Sequence, residues 1–281
     1  MNQKFAVIGH PIGHTMSPFI HNNLFKMQQK DVEYSVFDIH PDSLEQTFYV
    51  NLKSLDGFNI TIPHKEAILP LIDVVDESAL KYNAVNCVLN KNGKTYGCST
   101  DAFGFTKALE TADVSLSGKI LVLGAGGAAR TLAREASDRG CEVTIAVRDG
   151  NTTKAEALMQ WLNFHKGNAK FTTINKIDEK FDLVINATPV GMYPNTDASV
   201  LTEKQLKNCT AVFDAVYNPE KTKLLDMAEK LGLKTVGGMS MLVWQAVKAH
   251  EFWYDAEFKL EDIESLINEA NIEMTRLFYE K

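Results

Sequence analysis

The chain has 281 residues, of which 45% are hydrophobic and 23% are charged, and its formal net charge at pH 7 is -7. This composition is typical of a globular protein with one large or two medium domains. The acidic balance argues against a general nucleic-acid-binding protein. No apolar run reaches the roughly 18 residues of a membrane span. We therefore expect neither a nucleic-acid partner nor a membrane partner.

The histidines and cysteines carry no metal-binding pattern. The seven histidines include no HExxH motif, and the four cysteines include no CxxC pair. We expect no metal, and reduced thiols in a cytoplasmic protein. The apolar run within residues 4–9 is too short for a signal peptide and predicts a first buried strand instead.

Strand-like and helical runs alternate along the first hundred residues, which indicates an α/β unit. The pattern predicts a strand over 5–8, a Gly/Pro-rich loop over 9–18, a helix over 19–29, a strand over 33–39, a helix over 43–52, a strand over 57–62 and a hairpin with arms 84–89 and 94–96. The hairpin is predicted because Asn92-Gly93 lies between the two arms.

A second α/β unit begins near Asp101. The pattern predicts a helix over 103–111, a strand over 119–123, a helix over 127–139, a strand over 142–147, a helix over 155–164, strands over 182–186, 211–214 and 234–236, and long helices from 238 onward. We predict two α/β domains with a cleft between them. The first, 1–101, binds the substrate and is completed by helices in 238–281, and the second, 102–237, is a Rossmann-like dinucleotide-binding domain.

A glycine-rich turn, Gly124-Ala125-Gly126-Gly127-Ala128, follows the strand predicted over 119–123. A glycine at 124 permits a tight turn, and a glycine at 126 lets the backbone approach a pyrophosphate. The following helix offers unpaired N–H groups and the positive end of its dipole to phosphates. The turn predicts dinucleotide binding. A glycine turn without a ligand is the alternative.

The end of the next predicted strand bears on the choice of cofactor. Arg148 and Lys154 favour the 2′-phosphate of NADP, whereas Asp149 would repel that phosphate if it pointed at it. We predict NADP, with NAD also possible.

Lys65 and Asp101 are candidates for proton transfer. Reduction of a ketone needs a proton donor at the developing alkoxide, and a lysine can act as one when its surroundings lower its pKa. A carboxylate beside the lysine would orient it. Spacing alone leaves a second interpretation open, in which Lys65 is an exposed lysine and Asp101 caps a helix.

Taken together, these strings resemble the shikimate dehydrogenases along the whole chain. The similar segments are 7–22, 57–65, 83–86, 99–101, 124–129, 186–192, 214–219 and 238–245. The chain departs from the family pattern at Thr15, Asn83 and Ser99, where serine, glycine and asparagine are common. It also has Val147-Arg148-Asp149 where Asn-Arg-Thr is frequent, and relatives that accept NAD have an aspartate in this region.

The resemblance implies a role for particular residues. Lys65 and Asp101 correspond to the catalytic pair. The implied substrate-binding residues are Thr15 and Ser17 for a carboxylate, with Thr61, Lys65, Asn86, Asp101, Tyr217 and Gln245 around the ring. The implied cofactor-binding residues are Gly124, Ala125, Gly126, Gly127, Ala128, Arg148, Lys154, Thr188, Gly238 and Met241. Helix capping is the alternative role for Thr15 and Ser17, and a backbone partner is the alternative for Gln245.

The implied activity is the reversible NADPH-dependent reduction of 3-dehydroshikimate to shikimate, a step of the chorismate pathway to aromatic amino acids. Three alternatives are a quinate/shikimate dehydrogenase that uses NAD or both cofactors, a methylenetetrahydrofolate dehydrogenase on the same two-domain plan, and a non-catalytic NADP sensor. The hydroxyls of Thr15 and Ser17 and the amide of Gln245 fit a polyhydroxy acid better than a pterin. A sensor would be expected to lack Lys65 or Asp101. Either a monomer or a homodimer fits the sequence.

Overall fold

The structure, a computed structural model, describes residues 3–13 and 15–280. Met1, Asn2, His14 and Lys281, which the predicted domains include, lie outside the described residues. The chain divides into two compact units. The first ends at Asp101 and also contains Gln245–Ala270, and the second contains Ala102–Trp244 and the residues from Asn271 onward. The sequence assigned all of 238–281 to the first domain. The difference arises because two uninterrupted helices run through these boundaries.

The first unit holds a mixed sheet with short helices. Its strands are β1 (Gln3–Gly9), β2 (Val32–Asp38), β3 (Gly57–Ile60), β4 (Val74–Val75), β5 (Cys87–Lys91) and β6 (Lys94–Cys98). Its helices are α1 (Ser17–Met27), α2 (Leu44–Val50), α3 (His64–Ala67) and α4 (Glu77–Tyr82).

The sheet of the first unit has the strand order β2-β1-β3-β5-β6-β4. β1, β2 and β3 are parallel, and β5 runs antiparallel to its neighbours β3 and β6. Gly57 of β3 lies against the core, where a Cβ would stand 2.7 Å from the Val88 carbonyl oxygen and 2.9 Å from the Trp253 indole nitrogen. A larger residue would push this strand away from its neighbours. The carboxyl ends of β1, β2 and β3 therefore lie on the same side of the sheet, and the loops that follow these strands carry polar side chains.

The second unit alternates strands with helices. Its strands are β7 (Lys119–Leu123), β8 (Glu142–Val147), β9 (Asn168–Thr173), β10 (Phe181–Asn186), β11 (Cys209–Asp214) and β12 (Lys234–Val236). The helices of the remaining chain are α5 (Asp101–Thr111), α6 (Gly127–Asp138), α7 (Thr152–Phe164), α8 (Glu203–Leu206), α9 (Lys223–Lys230), α10 (Gly238–Tyr254) and α11 (Leu260–Tyr279).

The sheet of the second unit is parallel at every described pairing, in the order β12-β11-β10-β7-β8-β9. Counted within the unit, this is the strand order of a Rossmann fold, in which ligands bind outside the carboxyl ends of the strands where the order reverses. The reversal lies between β7 and β10. The central strands are continuous apolar runs because both faces of a parallel sheet are covered.

Several local predictions are confirmed. The hairpin of β5 and β6 turns at Asn92-Gly93, where both residues have positive φ angles of 54° and 75°. The sequence analysis gave no range for the strands β4 and β9 or for the helices α3, α4, α8 and α9, each of which has eight residues or fewer and so contains few repeats of an apolar pattern. The arm predicted over 84–89 starts only at Cys87, because Asn86 turns its side chain into a polar network. Among the described residues, no helix is both long enough and apolar enough to cross a membrane.

Candidate active site

Lys65 and Asp101 form an ion pair in the first unit. Lys65 lies on the short helix α3 that follows β3, and Asp101 is the first residue of α5. The lysine Nζ donates to Asp101 Oδ2 at 2.6 Å, and the two side chains are 28% and 13% exposed. A partly shielded pair of this kind holds the ammonium group in place while leaving one side open to a ligand.

Asn86 joins this pair to a wider polar network. The backbone N–H of Thr100 donates to Asn86 Oδ1 at 2.7 Å, which fixes the orientation of the amide because an N–H can only donate. Asn86 Nδ2 therefore faces the carboxylate and donates to Asp101 Oδ1 at 2.8 Å. Asp101 thus accepts from Asn86 on one oxygen and from Lys65 on the other. The carboxylate is held from two sides.

Gln245 of α10 lies in the same network. Its Oε1 accepts from Asn86 Nδ2 and from Thr100 Oγ1, both at 3.2 Å. Thr100 is 1% exposed, and sequence reasoning gave it no role although it directly precedes Asp101. The sequence contained no signal for this role, because the burial of the hydroxyl, which requires a partner, is known only from the fold. The structure brings four predicted residues together, Lys65, Asn86, Asp101 and Gln245.

Thr61 lies on the chain between β3 and α3. Its backbone N–H donates to the Ile8 carbonyl at 2.9 Å, and its own carbonyl accepts from the His64 N–H at 3.0 Å. The methyl group of Thr61 would lie 2.6 Å from a Cβ at Gly9, so Gly9 is required for this close approach. The loop that begins at Gly9 therefore leaves the sheet beside the segment that leads to Lys65.

Thr15 and Ser17 lie on that loop and at the start of α1. Thr15 Oγ1 accepts from the Ser17 backbone N–H at 3.1 Å. The N-cap of α1 is Met16, which makes no side-chain capping bond. The Ser17 hydroxyl is thus not the helix cap, and the capping alternative applies only to the Thr15 hydroxyl.

The glycine turn of the second unit joins β7 to α6. Gly124 has a φ of +105° and a Cβ there would stand 3.0 Å from Thr188, so the tight turn itself needs glycine. Gly126 and Gly127 are different, because a Cβ at either position would meet nothing within 4 Å. The fold does not need these two glycines for packing. The open space fits a ligand that approaches the backbone.

The start of α6 is suited to phosphate. Gly126 is the N-cap, no side chain caps the helix, and the first turn has no acidic residue. Its N–H groups and the helix dipole are therefore available to an anion. Ala128 belongs to this turn, and Ala129 is fully buried behind it. The residues of Gly124–Ala128 fit the pyrophosphate of a dinucleotide.

The chain after β8 contains the residues that were predicted to determine selectivity between NADP and NAD. Arg148 and Lys154 are exposed cations. The carboxylate of Asp149 accepts from Asn175 Nδ2 at 3.0 Å. This hydrogen bond gives the negative charge of Asp149 a partner within the protein, and it reduces the objection to a 2′-phosphate beside Arg148.

Thr188, Tyr217, Gly238 and Met241 also belong to the second unit. Thr188 follows β10 and donates its hydroxyl to Asn186 Oδ1 at 2.7 Å. Tyr217 is half-buried, and burial raises the pKa of its hydroxyl. Gly238 begins α10, where a Cβ would stand 2.5 Å from the Ala215 carbonyl oxygen, so this helix starts against the loop after β11. Within the described chain, no cluster of His, Cys, Asp and Glu could hold a metal ion.

A glycine turn on a Rossmann sheet and an ordered lysine–carboxylate pair define a nicotinamide-dependent oxidoreductase of two α/β units. The comparisons with known proteins agree. Residues 7–88 match the family model for the substrate-binding domain of shikimate dehydrogenase. An NADP+-dependent shikimate dehydrogenase from Clostridium perfringens is 42% identical over 253 residues, covering 89% of this chain and 91% of the relative.

Solved structures are similar as well. The shikimate 5-dehydrogenase of Thermus thermophilus, in complex with NADP(H) and shikimate, has a TM-score of 0.86 at 32% identity and covers 95% of this chain and 99% of its own. The quinate dehydrogenase of Corynebacterium glutamicum, in complex with NAD, has a TM-score of 0.83 at 28% identity and covers 95% and 99%. The chain belongs to the shikimate dehydrogenase family. The predicted family, the α/β fold class and the assignment to NADP-dependent oxidoreductases are confirmed.

Proposed function

We propose that the protein catalyses the reversible NADPH-dependent reduction of 3-dehydroshikimate to shikimate, with Lys65 and Asp101 as its catalytic pair. The observation that carries this proposal is the 2.6 Å ion pair, whose carboxylate is held on its other oxygen by Asn86. Bound NADPH supplies the hydride. The first unit binds the substrate, and the second binds the cofactor.

Lys65 manages the proton at the reacting oxygen. In the direction of reduction its ammonium group donates a proton to that oxygen as negative charge develops there, and in the direction of oxidation the neutral amine accepts it. Asp101 keeps the Nζ atom at a fixed point through their 2.6 Å ion pair. Since Asn86 orients Asp101 and Asp101 holds Lys65, both hydrogen bonds help to fix the position of the proton on the Lys65 Nζ atom.

The ring hydroxyls bind to Thr61, Asn86, Asp101 and Gln245. The two bonds to Gln245 Oε1, both 3.2 Å, are longer than the 2.6 and 2.8 Å bonds to Asp101 and can be exchanged for bonds to a substrate hydroxyl at little cost. Thr15 and Ser17 offer hydroxyl donors to the substrate carboxylate. Tyr217 would offer a further hydroxyl to the substrate, as the family resemblance implies.

The cofactor is held by its phosphates. The N–H groups at the start of α6 take the pyrophosphate, and Arg148 with Lys154 takes the 2′-phosphate. Thr188, Gly238 and Met241 would hold the nicotinamide half. A second candidate is a quinate/shikimate dehydrogenase that uses NAD. It is favoured by the Asp149 carboxylate beside Arg148, which can accept from the ribose hydroxyls of NAD.

One assay separates the two candidates. The absorbance of the reduced nicotinamide is followed with shikimate or quinate, each crossed with NADP+ or NAD+. The proposal expects the highest kcat/KM for shikimate with NADP+. A higher kcat/KM for quinate with NAD+ would favour the second candidate, and reduction of neither cofactor by either acid would overturn both. The choice between monomer and homodimer and the cytoplasmic location stay predictions.

A further inference from the structure

Asp214 is a buried carboxylate outside the catalytic pair. It is the last residue of β11 and pairs in register with Asn186, the last residue of β10. Both side chains are 0% exposed. Each strand then continues into a loop, 187–192 after β10 and 215–222 after β11. Asp214 thus lies at the carboxyl ends of the adjacent strands β10 and β11, where the two loops begin.

The carboxylate binds both loops. Oδ1 accepts from Asn186 Nδ2 at 2.8 Å and from the Val216 N–H at 3.0 Å, and Oδ2 accepts from Thr222 Oγ1 at 2.7 Å. Asn186 Oδ1 in turn accepts from the N–H and the hydroxyl of Thr188, at 3.1 and 2.7 Å. One carboxylate therefore connects the segment that carries Thr188 with the segment that carries Val216 and Tyr217.

Thr222 closes the far end of the second loop. Its hydroxyl also accepts from the Leu225 N–H at 3.3 Å and so forms the N-cap of α9. Gly191 of the first loop, with a φ of +90°, approaches the same threonine, since a Cβ at Gly191 would stand 3.6 Å from the threonine Cβ. The 187–192 loop thus packs on a residue that Asp214 holds.

Among the described residues, no cation neutralises this carboxylate. The lysines beside Thr222 are engaged elsewhere, Lys221 with Glu229 Oε2 at 2.6 Å and Lys223 with the Asp197 carbonyl at 2.8 Å. The groups that face Asp214 are the neutral Asn186, Thr222 and the Val216 amide. Burial raises the pKa of Asp214 to about 6, although its three hydrogen bonds lower it. Burying an unpaired charge costs stability, so the carboxylate is not explained by stability alone.

We propose that Asp214 is a positioning residue, which holds the loop of Thr188 in register with the loop of Tyr217 so that the nicotinamide end of the cofactor and the substrate hydroxyls meet correctly. The inference rests on the proposed function, since Thr188 and Tyr217 take their roles from it. Asp214 is fully buried, so its side chain would not reach either ligand directly. Its effect reaches them through Asn186, Val216 and Thr222.

The test compares Asp214→Asn with Asp182→Asn, an exposed aspartate at the opposite end of β10. Asp214→Asn is expected to lower kcat for shikimate oxidation by about tenfold and to raise KM for shikimate by about threefold. The Kd for NADP+ should change by less than about twofold, because the dinucleotide is held mainly by its phosphates at Gly124–Ala128. Hydrogen exchange in the cofactor-free protein should increase in 187–192 and 215–222 and not elsewhere. Asp182→Asn should leave all four quantities unchanged.

Thr222 provides a second pair of variants if Asp214→Asn does not fold. Thr222→Val removes the hydroxyl at nearly constant shape and should act in the same direction, and Thr222→Ser should restore kcat and KM. Unchanged kcat, KM and loop exchange in Asp214→Asn and Thr222→Val would overturn the proposal, as would a uniform rise in exchange over the whole second unit. If the wild type oxidises no shikimate, the proposed function is wrong. Hydrogen exchange in 187–192 and 215–222 then still tests whether Asp214 holds the two loops together.

Discussion

A buried histidine pair predicts that the first unit loses stability in mild acid. His21 of α1 and His250 of α10 are both 0% exposed, and His21 Nδ1 lies 3.0 Å from His250 Nε2. The His21 ring also stacks on Tyr34 at a centroid distance of 4.6 Å. Burial lowers the pKa of His21 from 6.5 to about 3. The pKa of His250 is lowered as well, first by burial and then by His21 and Lys30.

The sign and size follow from proton linkage. Below pH 6.5 the unfolded chain binds a proton on His21 that the folded chain does not bind until the pH nears 3. The contribution of His21 to the free energy of unfolding is therefore complete above pH 6.5 and is lost progressively as the pH drops toward 3. At pH 5 the gap of about 1.5 pH units corresponds to roughly 2 kcal/mol from His21 alone. His250 adds to this loss in the same direction.

Urea unfolding at about pH 7 and about pH 5 measures this difference. His21→Phe keeps an aromatic ring on Tyr34 and removes the titrating group, and His165→Phe changes an exposed histidine as the control. The wild type and His165→Phe should lose about 2 kcal/mol more than His21→Phe between the two pH values. Equal losses in all three proteins would show that His21 does not stay neutral in the folded state.

Three further predictions concern the ligand sites. Gly126→Ala should leave the Tm nearly unchanged, because its Cβ meets nothing within 4 Å, and should raise the Kd for NADP+ by about tenfold in calorimetric titration; an unchanged Kd would mean that no phosphate lies there. Arg148→Ala should weaken NADP+ by about tenfold or more and leave NAD+ unaffected, since a charge-assisted bond contributes about 1.5–3 kcal/mol, and equal weakening of both would remove Arg148 from the 2′-phosphate. Thr100→Val should raise KM for shikimate by about fivefold, and Thr100→Ser should leave KM unchanged. The same KM in both variants would show that the Thr100 hydroxyl does not order Asn86 and Gln245.

Local chemistry made part of the fold predictable from the sequence. Asn92-Gly93 predicts a hairpin because both residues adopt positive φ readily, and the structure has that turn. The strand and helix around Gly124 are equally local. The pairing of Lys65 with Asp101 is different, because a separation of 36 residues cannot be bridged by spacing rules, and only the resemblance indicated it.

Other features could not be read from the sequence for physical reasons. Thr100 and Asp214 make buried hydrogen bonds to residues far along the chain, Gln245 and Asn186, and the local sequence pattern contains no signal for these partners. A carboxylate at the end of an apolar strand looks like an ordinary surface residue until the neighbouring strand is placed beside it. The helices α10 and α11 run without a break through the boundaries of the two units, so their pattern contains no signal for the division.

The role of Lys65 is the centre of the proposed mechanism, and one variant tests it directly. Lys65→Ala should abolish the oxidation of shikimate with NADP+, because the proton at the reacting oxygen then has no acceptor. The Kd for NADP+ should remain that of the wild type, since Lys65 belongs to the first unit and the phosphate-binding turn belongs to the second. A Lys65→Ala protein with a near-normal kcat would contradict the mechanism.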